Sequence, residues 1–226
     1  MVRNMSDYVI RLYNDSDYDA VRDLFARGIR DHPRVAFNQA LRHPQICIFL
    51  LVVFCFPLVA FGSILLSVLA LAAVLVFIWL SSVMGFQAYA KATLSGDLKD
   101  IHKYYMQCNG HCFWVAESAG QVVGIVGVRP SDTSPEKCLE LIRMSVAKEH
   151  RGKCIAKALC RTAINFARDK RYKSVVLVTT TPQIAGQRLY ESIGFRCTDK
   201  TYPKILLPRL AGFRILHYKY GLSAAE

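Results

Sequence analysis

Short apolar runs and helical spacings alternate along most of the chain, but between His43 and Ala90 there is no Asp, Glu, Lys or Arg at all. Residues 46–84 are apolar almost throughout. A run of 18 or more apolar residues already suggests a membrane-spanning helix, and about 20 residues cross the hydrocarbon. This block is about twice that length. A single span so long would have to tilt at a cost, so the pattern predicts two short spans with a turn near Pro57 or Gly62–Ser63. The block starts too far from the N-terminus for an ordinary signal peptide.

The flanking pieces read as parts of a soluble domain. Residues 8–13 form a short apolar run, and Asp15 or Asp17 is placed to cap a helix carrying Val21, Leu24, Phe25 and Ile29 at helical spacing. Beyond the block, Leu98, Ile101 and Tyr105 predict another helix. Residues 112–117 and 122–128 read as strands joined by Ser118-Ala119-Gly120-Gln121, a hairpin signal. A strand is predicted over 139–146, then a helix with Ile155, Leu159, Thr162, Ala163 and Phe166 on one face. The β-branched run 174–180 suits a strand inside a sheet. A helix over 182–192 follows, with Pro182 early where its missing donor costs little. Strands over 195–201 and 213–220 complete a mixed α/β (α+β) order built on one sheet. The organisation is therefore 1–42, first strand and helix; 43–90, apolar hairpin insertion; and 91–226, the rest of the domain. If 1–42 and 91–226 share one sheet, both lie on the same side of a membrane and the insertion crosses it an even number of times.

Charge supports that topology. Arg34 and Arg42 flank the block on one side, Lys91 and Lys99 on the other, as cytosolic flanks on both ends require. The net charge of +12 suits an anionic lipid surface. No Lys/Arg cluster interleaves with aromatics, so direct nucleic-acid binding is not expected. The eight cysteines contain no CxxC pair, and Cys108, His111 and Cys112 lack a second, distant pair, so no metal is expected. Unpaired thiols suit a reducing compartment.

Three segments carry the chemistry. Phe113-Trp114-Val115-Ala116-Glu117 is followed by Val122-Val123-Gly124-Ile125-Val126-Gly127. Met144-Ser145-Val146 leads to Arg151-Gly152-Lys153-Cys154-Ile155-Ala156-Lys157-Ala158-Leu159. Gln183 precedes Leu189-Tyr190-Glu191-Ser192-Ile193-Gly194-Phe195. Together these resemble the central hairpin, the R-x-x-G-x-A signature and the LYExxGF ending of the GNAT acyl-CoA N-acyltransferases. The apolar insertion after the first helix, the stretches CFWVAES and IAKAL, and Gln183 narrow the resemblance to the camello-like N-acetyltransferases, membrane-attached GNAT enzymes of the endoplasmic reticulum. The resemblance implies the GNAT fold, acetyl-CoA as co-substrate and acetyl transfer to an amine. It implies a catalytic domain on the cytosolic face of the endoplasmic reticulum membrane. The acceptors it allows are a cysteine S-conjugate, an amino acid such as aspartate, or lysines of proteins, histones included.

The residues suit that chemistry independently of the family. A helix start offers unpaired N–H groups and the positive end of the helix dipole. A tight loop over Arg151, Gly152, Lys153, Cys154, Ile155 and Ala156 can wrap those donors around a pyrophosphate. Cys154 departs from the signature, which has Gly there. If the position needs a positive φ, a Cβ costs roughly 1–2 kcal/mol, which leaves a catalytically impaired CoA-binding membrane protein as the alternative reading. The strand edge at Met144, Ser145 and Val146 can offer an N–H to the thioester carbonyl. By the resemblance, Tyr190 is the general acid for the departing thiolate and Gln183 borders the cofactor. Glu140 is the candidate base through a water, and Arg143 the candidate partner of a substrate carboxylate. Simple strand alternation puts Glu140 with Ile142 and Met144 on one face and Arg143 on the other.

Overall fold

The computed structural model describes residues 8–131 and 137–222. Its elements run β1 (Val9–Leu12), α1 (Tyr18–Arg30), α2 (His32–Leu41), α3 (Pro44–Phe61), α4 (Ile64–Ser95), β2 (Cys112–Ser118), β3 (Gln121–Pro130), β4 (Cys138–Val146), α5 (Ile155–Asp169), β5 (Ser174–Thr180), α6 (Ile184–Ile193), β6 (Arg196–Thr201), α7 (Leu206–Leu210) and β7 (Ile215–Gly221). Among the described residues, seven strands make one sheet in the order β1-β2-β3-β4-β5-β7-β6. Of its strand pairs, only β4–β5 is parallel. β1 pairs with β2, Val9 opposite Glu117 and Leu12 opposite Trp114. The pieces on either side of the apolar block therefore build the same sheet.

Alternation along β2 divides the core. Cys112, Trp114 and Ala116 face a cluster with α5, whose Ile155, Leu159, Cys160, Ala163, Ile164 and Ala167 are buried. Phe113 and Val115 face Val21, Leu24 and Phe25 of α1 on the other side. Gly124 of β3 lets α5 lie close: a Cβ there would stand 2.9 Å from Ile155 and 3.0 Å from Leu159. That contact fixes where the N-terminus of α5 points.

α3 and α4 pack side by side, and both are long and apolar enough to cross a membrane. Their outer surfaces carry exposed Phe49, Leu51, Phe56, Val59, Leu65 and Leu69, among others. The turn falls at Gly62–Ser63 rather than at Pro57. Gly62 takes the left-handed conformation (φ 65°), and the Ser63 hydroxyl accepts the Leu66 N–H at 3.3 Å, capping α4. Pro57 stays inside α3.

The second helix is not a short span. Its 32 residues run about 48 Å at 1.5 Å per residue, well beyond the roughly 30 Å of hydrocarbon. The excess continues into the domain, where Phe86, Ala90 and Leu94 pack on the α1 cluster. Arg22 of α1 ties off the far end by donating to the Leu94 carbonyl at 2.7 Å and to the Leu98 carbonyl.

Other expectations need local correction. Asn14, not Asp15 or Asp17, caps the first helical turn: its side chain accepts the Ser16 N–H, while Asp17 accepts the Asn14 N–H and pairs with Arg11 at 2.6 Å. Leu98, Ile101 and Tyr105 are buried as their spacing implied, but the segment is a bend followed by a π-helical turn over His102–Met106. Pro182 stands ahead of α6, which begins at Ile184. Helices α2 and α7 had no clear signal in the pattern.

Candidate active site

β4 and β5 pair only at Cys138–Ser174, Leu139–Val175 and Glu140–Val176. Beyond Glu140 each strand continues, β4 for six residues to Val146 and β5 for four to Thr180, with no pairing between them. The sheet opens there into a wedge. Ala147 donates its N–H to Val123 of β3 at 2.8 Å, so alternation turns the neighbouring Val146 N–H into the wedge. Met144 and Val146 pack against the α5 cluster beside it.

At the mouth of the wedge, the chain passes through Lys148–His150, a 3₁₀ turn, and enters α5. Gly152 (φ 82°) and Cys154 (φ 62°) both take left-handed backbone, and Gly152, Lys153 and Cys154 are exposed. Position 154 therefore needs the conformation that a glycine adopts freely. The first-turn N–H groups of Ile155, Ala156 and Lys157 have no intrahelical partner by helix geometry. Arg151 is held over the same loop: its Nε donates to the Val146 carbonyl at 3.2 Å and its Nη2 to Asp31 at 3.1 Å. Gln183, just before α6, accepts the Thr179 hydroxyl at 2.6 Å and lies 3.4 Å from His32 Nε2. Burial pushes the His32 imidazole pKa down; Asp31 opposes this and Arg151 adds to it.

The alternation of β4 breaks in the middle of the wedge. Ile142 faces Gly127 and Ser145 faces Ile125, so β4 spends one residue more than β3 over this interval. Arg143 sits in this bulge with φ 58°. The extra residue reverses the expected faces. Met144 turns to the α5 cluster, away from Ile142, which packs on the α1 cluster. Arg143, expected opposite Glu140 and Ile142, reaches toward α1 and α4 instead. Its Nε and Nη2 donate to the two carboxylate oxygens of Asp97 at 2.8 and 2.9 Å, and its Nη1 donates to the Tyr89 hydroxyl at 3.0 Å. Tyr105 donates to the same Asp97 carboxylate, and the guanidinium lies 5.8 Å from the Phe25 ring centre. Burial works against the Arg143 charge, but Asp97, Tyr89 and Tyr105 together outweigh it and the pKa is raised.

Glu140 stands at the apex of the wedge, in a cross-strand pair with Arg129 at 2.7 Å; Arg129 also donates to the Tyr104 hydroxyl at 3.2 Å. Tyr190 lies on the other side, 8% exposed on α6, with its ring against Phe195 and Tyr218. Burial pushes its phenol pKa well up, with Cys160 and Tyr89 adding to the shift. Tyr89 is bonded to Arg143 in the bulge. Met144, Ser145, Val146 and the Arg151–Ala156 loop also border the wedge. Gln183 joins the end of β5 to His32.

Sequence reasoning missed Tyr89, Asp97 and Tyr105. A signal for one existed: Asp97 is the first acidic residue after the charge-free block. Nothing in the linear pattern linked it to Arg143, 46 positions later.

Comparison with known proteins places this geometry. The acetyltransferase (GNAT) family profile matches residues 84–195. The chain is 39% identical over 224 residues to mouse N-acetyltransferase 8, covering 98% of both chains. It is 38% identical over 224 residues to human N-acetyltransferase 8B, again with 98% of each covered. Among solved structures, a GNAT-family acetyltransferase from Staphylococcus aureus superposes with a TM-score of 0.57 at 18% identity, over 96% of this chain and 99% of that one. At that identity the likeness concerns the fold.

Proposed function

Because the chain belongs to the N-acetyltransferase 8 family of GNAT acetyltransferases, we propose that it transfers acetyl from acetyl-CoA to a small amphiphilic amine at the cytosolic face of the endoplasmic reticulum membrane. The observation that carries this is the wedge between β4 and β5, with the N-terminus of α5 at its mouth. The unpaired N–H groups at the start of α5, with the loop that leads into it, would take the pyrophosphate. The pantetheine arm would run along the unpaired edge of β4, and the Val146 N–H, or that of Met144, would receive the thioester carbonyl. Attack by the amine nitrogen on the carbonyl carbon forms the C–N bond. Collapse breaks the C–S bond, and the thiolate takes a proton from the Tyr190 hydroxyl. Burial raises the Tyr190 pKa, so the phenol is a weak acid and gives up its proton only as the thiolate forms beside it. The ammonium proton leaves through water, with Glu140 as base. The wedge and the α5 loop support the donor side; Tyr89 and Arg143 bound the acceptor side.

The helix that supplies Tyr89 also supplies the membrane span. Tyr89 lies about 38 Å along α4 from Ile64 at 1.5 Å per residue, about 8 Å beyond the roughly 30 Å of hydrocarbon and so at headgroup depth. An acceptor reaching Tyr89 thus arrives at the bilayer surface, which favours amines with an apolar tail, such as cysteine S-conjugates. Arg143 has already committed three of its N–H groups to Asp97 and Tyr89, and its remaining donors would meet a carboxylate. An α-amine, about a tenth neutral at pH 7, also needs less help from a base than a lysine, which is below about 0.1% neutral. Thiol release by reconstituted protein over S-conjugates, amino acids and lysine peptides tests the assignment. Turnover of S-conjugates above the others is expected. Turnover confined to lysine peptides would make it a protein acetyltransferase, and CoA binding without turnover an impaired binder. Tags at both termini should be reached after selective plasma-membrane permeabilisation.

A further inference from the structure

Between β6 and β7 the chain makes an excursion that the acetyl-transfer chemistry does not use. α7 and its flanks expose Tyr202 (47%), Ile205 (69%), Leu206 (66%) and Leu210 (41%) to their surroundings. Cations accompany them: the Arg209 and Arg214 guanidinium groups lie 5.4 and 5.2 Å from the Tyr202 ring centre, and Lys204 is exposed. An apolar ridge this open has no reason to persist in water, where burying a Leu or Ile side chain is worth about 1.5–3 kcal/mol.

Its place on the hairpin identifies what covers it. The chain just after α7 is seated on the base of α3 and α4. Ala211 packs into the cluster of Ala40, Ile46 and Ile78, a Cβ at Gly212 would run into the His43 ring, and Phe213 packs edge-on against Phe86. Ile46 and Ile78 lie 16 and 15 residues from the Gly62–Ser63 turn, hence about 22–24 Å from the tip at 1.5 Å per residue. The hydrocarbon is about 30 Å thick. A hairpin whose tip reaches the far boundary therefore carries Ala211 about 6–8 Å inside the near boundary, the depth to which the apolar face of an interfacial helix sinks below the headgroups. Exposed aliphatic side chains beside a Tyr and several Lys and Arg are the composition that depth favours.

We propose that the segment from Tyr202 to Arg214 is an interfacial element of the enzyme. Ile205, Leu206 and Leu210 enter the acyl boundary of the bilayer that holds the hairpin, and Lys204, Arg209 and Arg214 meet lipid phosphates. The occupant is the lipid surface itself. The consequence is orientation: three contacts, at α3, at α4 and at α7, fix the tilt of the domain on the membrane. This rests on the reading of α3 and α4 as membrane-inserted.

Tryptophan quenching by brominated lipids tests both readings separately. The chain has two tryptophans, of which Trp114 is buried in the sheet core. In full-length protein carrying Trp79→Phe, the further substitution Leu206→Trp reports on α7. In a second protein on the same background, Leu69→Trp, at an exposed position near the hairpin tip, reports on the hairpin. In phosphatidylcholine/phosphatidylserine vesicles, the Leu206→Trp protein should lose most of its added emission to lipids brominated near the headgroup end of the chain and little to those brominated deeper. The double charge reversal Arg209→Glu and Arg214→Glu should lessen that loss. Quenching in the Leu69→Trp protein without quenching in the Leu206→Trp protein overturns the interfacial element and leaves the hairpin standing. If neither is quenched, the hairpin reading fails and the inference with it. Quenching in the Leu206→Trp protein that is unaffected by charge reversal overturns the role of the cations.

Discussion

Replacing Asp97 by Asn tests whether the segment at the end of α4 holds the β4 bulge in shape. Asn keeps the size of Asp97 and an acceptor for Tyr105, but removes the charge that faces Arg143. The two side chains are 7% and 16% exposed. Breaking a fully buried pair costs about 3–5 kcal/mol. Partial exposure of Arg143 and its further bond to Tyr89 reduce this to about 2–3 kcal/mol by the same reasoning. At about 2–4 °C per kcal/mol for a chain of this size, Tm should fall by about 5–10 °C. The pair also holds Arg143 at φ 58°, a conformation costing roughly 1–2 kcal/mol. Without it the bulge should relax and the Met144–Val146 edge should shift. Removing an oxyanion donor outright costs about 10²–10³ in kcat, so a loosened one should cost about tenfold, with KM for acetyl-CoA little changed. Thermal unfolding in detergent and steady-state thiol release supply the two readouts. The decisive measurement is the cycle with Arg143→Gln, where a coupling of about 1.5–3 kcal/mol is expected. Additivity within about 0.5 kcal/mol would show that the pair does not tie α4 to β4, and the positioning argument would be wrong.

Cys154→Gly removes a Cβ penalty of about 1–2 kcal/mol at a backbone-entropy cost of roughly 0.5–1 kcal/mol. The net gain should appear in Tm, in acetyl-CoA affinity or in both; calorimetry and thermal unfolding that show neither would mean that the loop is unstrained. Tyr190→Phe should lower kcat by about 10²–10⁴ while acetyl-CoA affinity holds. Wild-type turnover, with no pre-steady-state burst to reveal slow product release, would remove Tyr190 from the mechanism. His32 has a lowered folded-state pKa, so the unfolded chain binds its proton first. Its contribution to stability is present above about 6.5, the unfolded value, and is lost as pH falls through the folded value. Tm should accordingly drop more steeply below pH 6.5 in the wild type than in His32→Gln, and parallel curves would contradict this.

Local pattern alone determined a good deal here. The strands around Val115, Ile125 and Val175, the helical face of Ile155 and Leu159, and the charge-free block are each written in nearest-neighbour periodicity, which the backbone geometry of helices and strands converts directly into buried faces. The Arg151–Ala156 loop was legible because a left-handed position beside a helix start needs a particular spacing of small residues. The conformation at Cys154, where the sequence has no glycine, came from its neighbours. What required the tertiary structure is whatever depends on residues far apart in the chain. The wedge exists because β4 and β5 diverge after Glu140, and no residue in either strand encodes a missing neighbour. The bulge at Arg143 shifts the alternation by one, which inverts every later side chain. It is stabilised by Asp97 and Tyr89, whose relation to Arg143 is set by where α4 ends. The length of α4 itself was hidden, since polar residues after Met84 read as the end of a span while the backbone, satisfied by its own hydrogen bonds, continues into the domain and carries Tyr89 to Arg143.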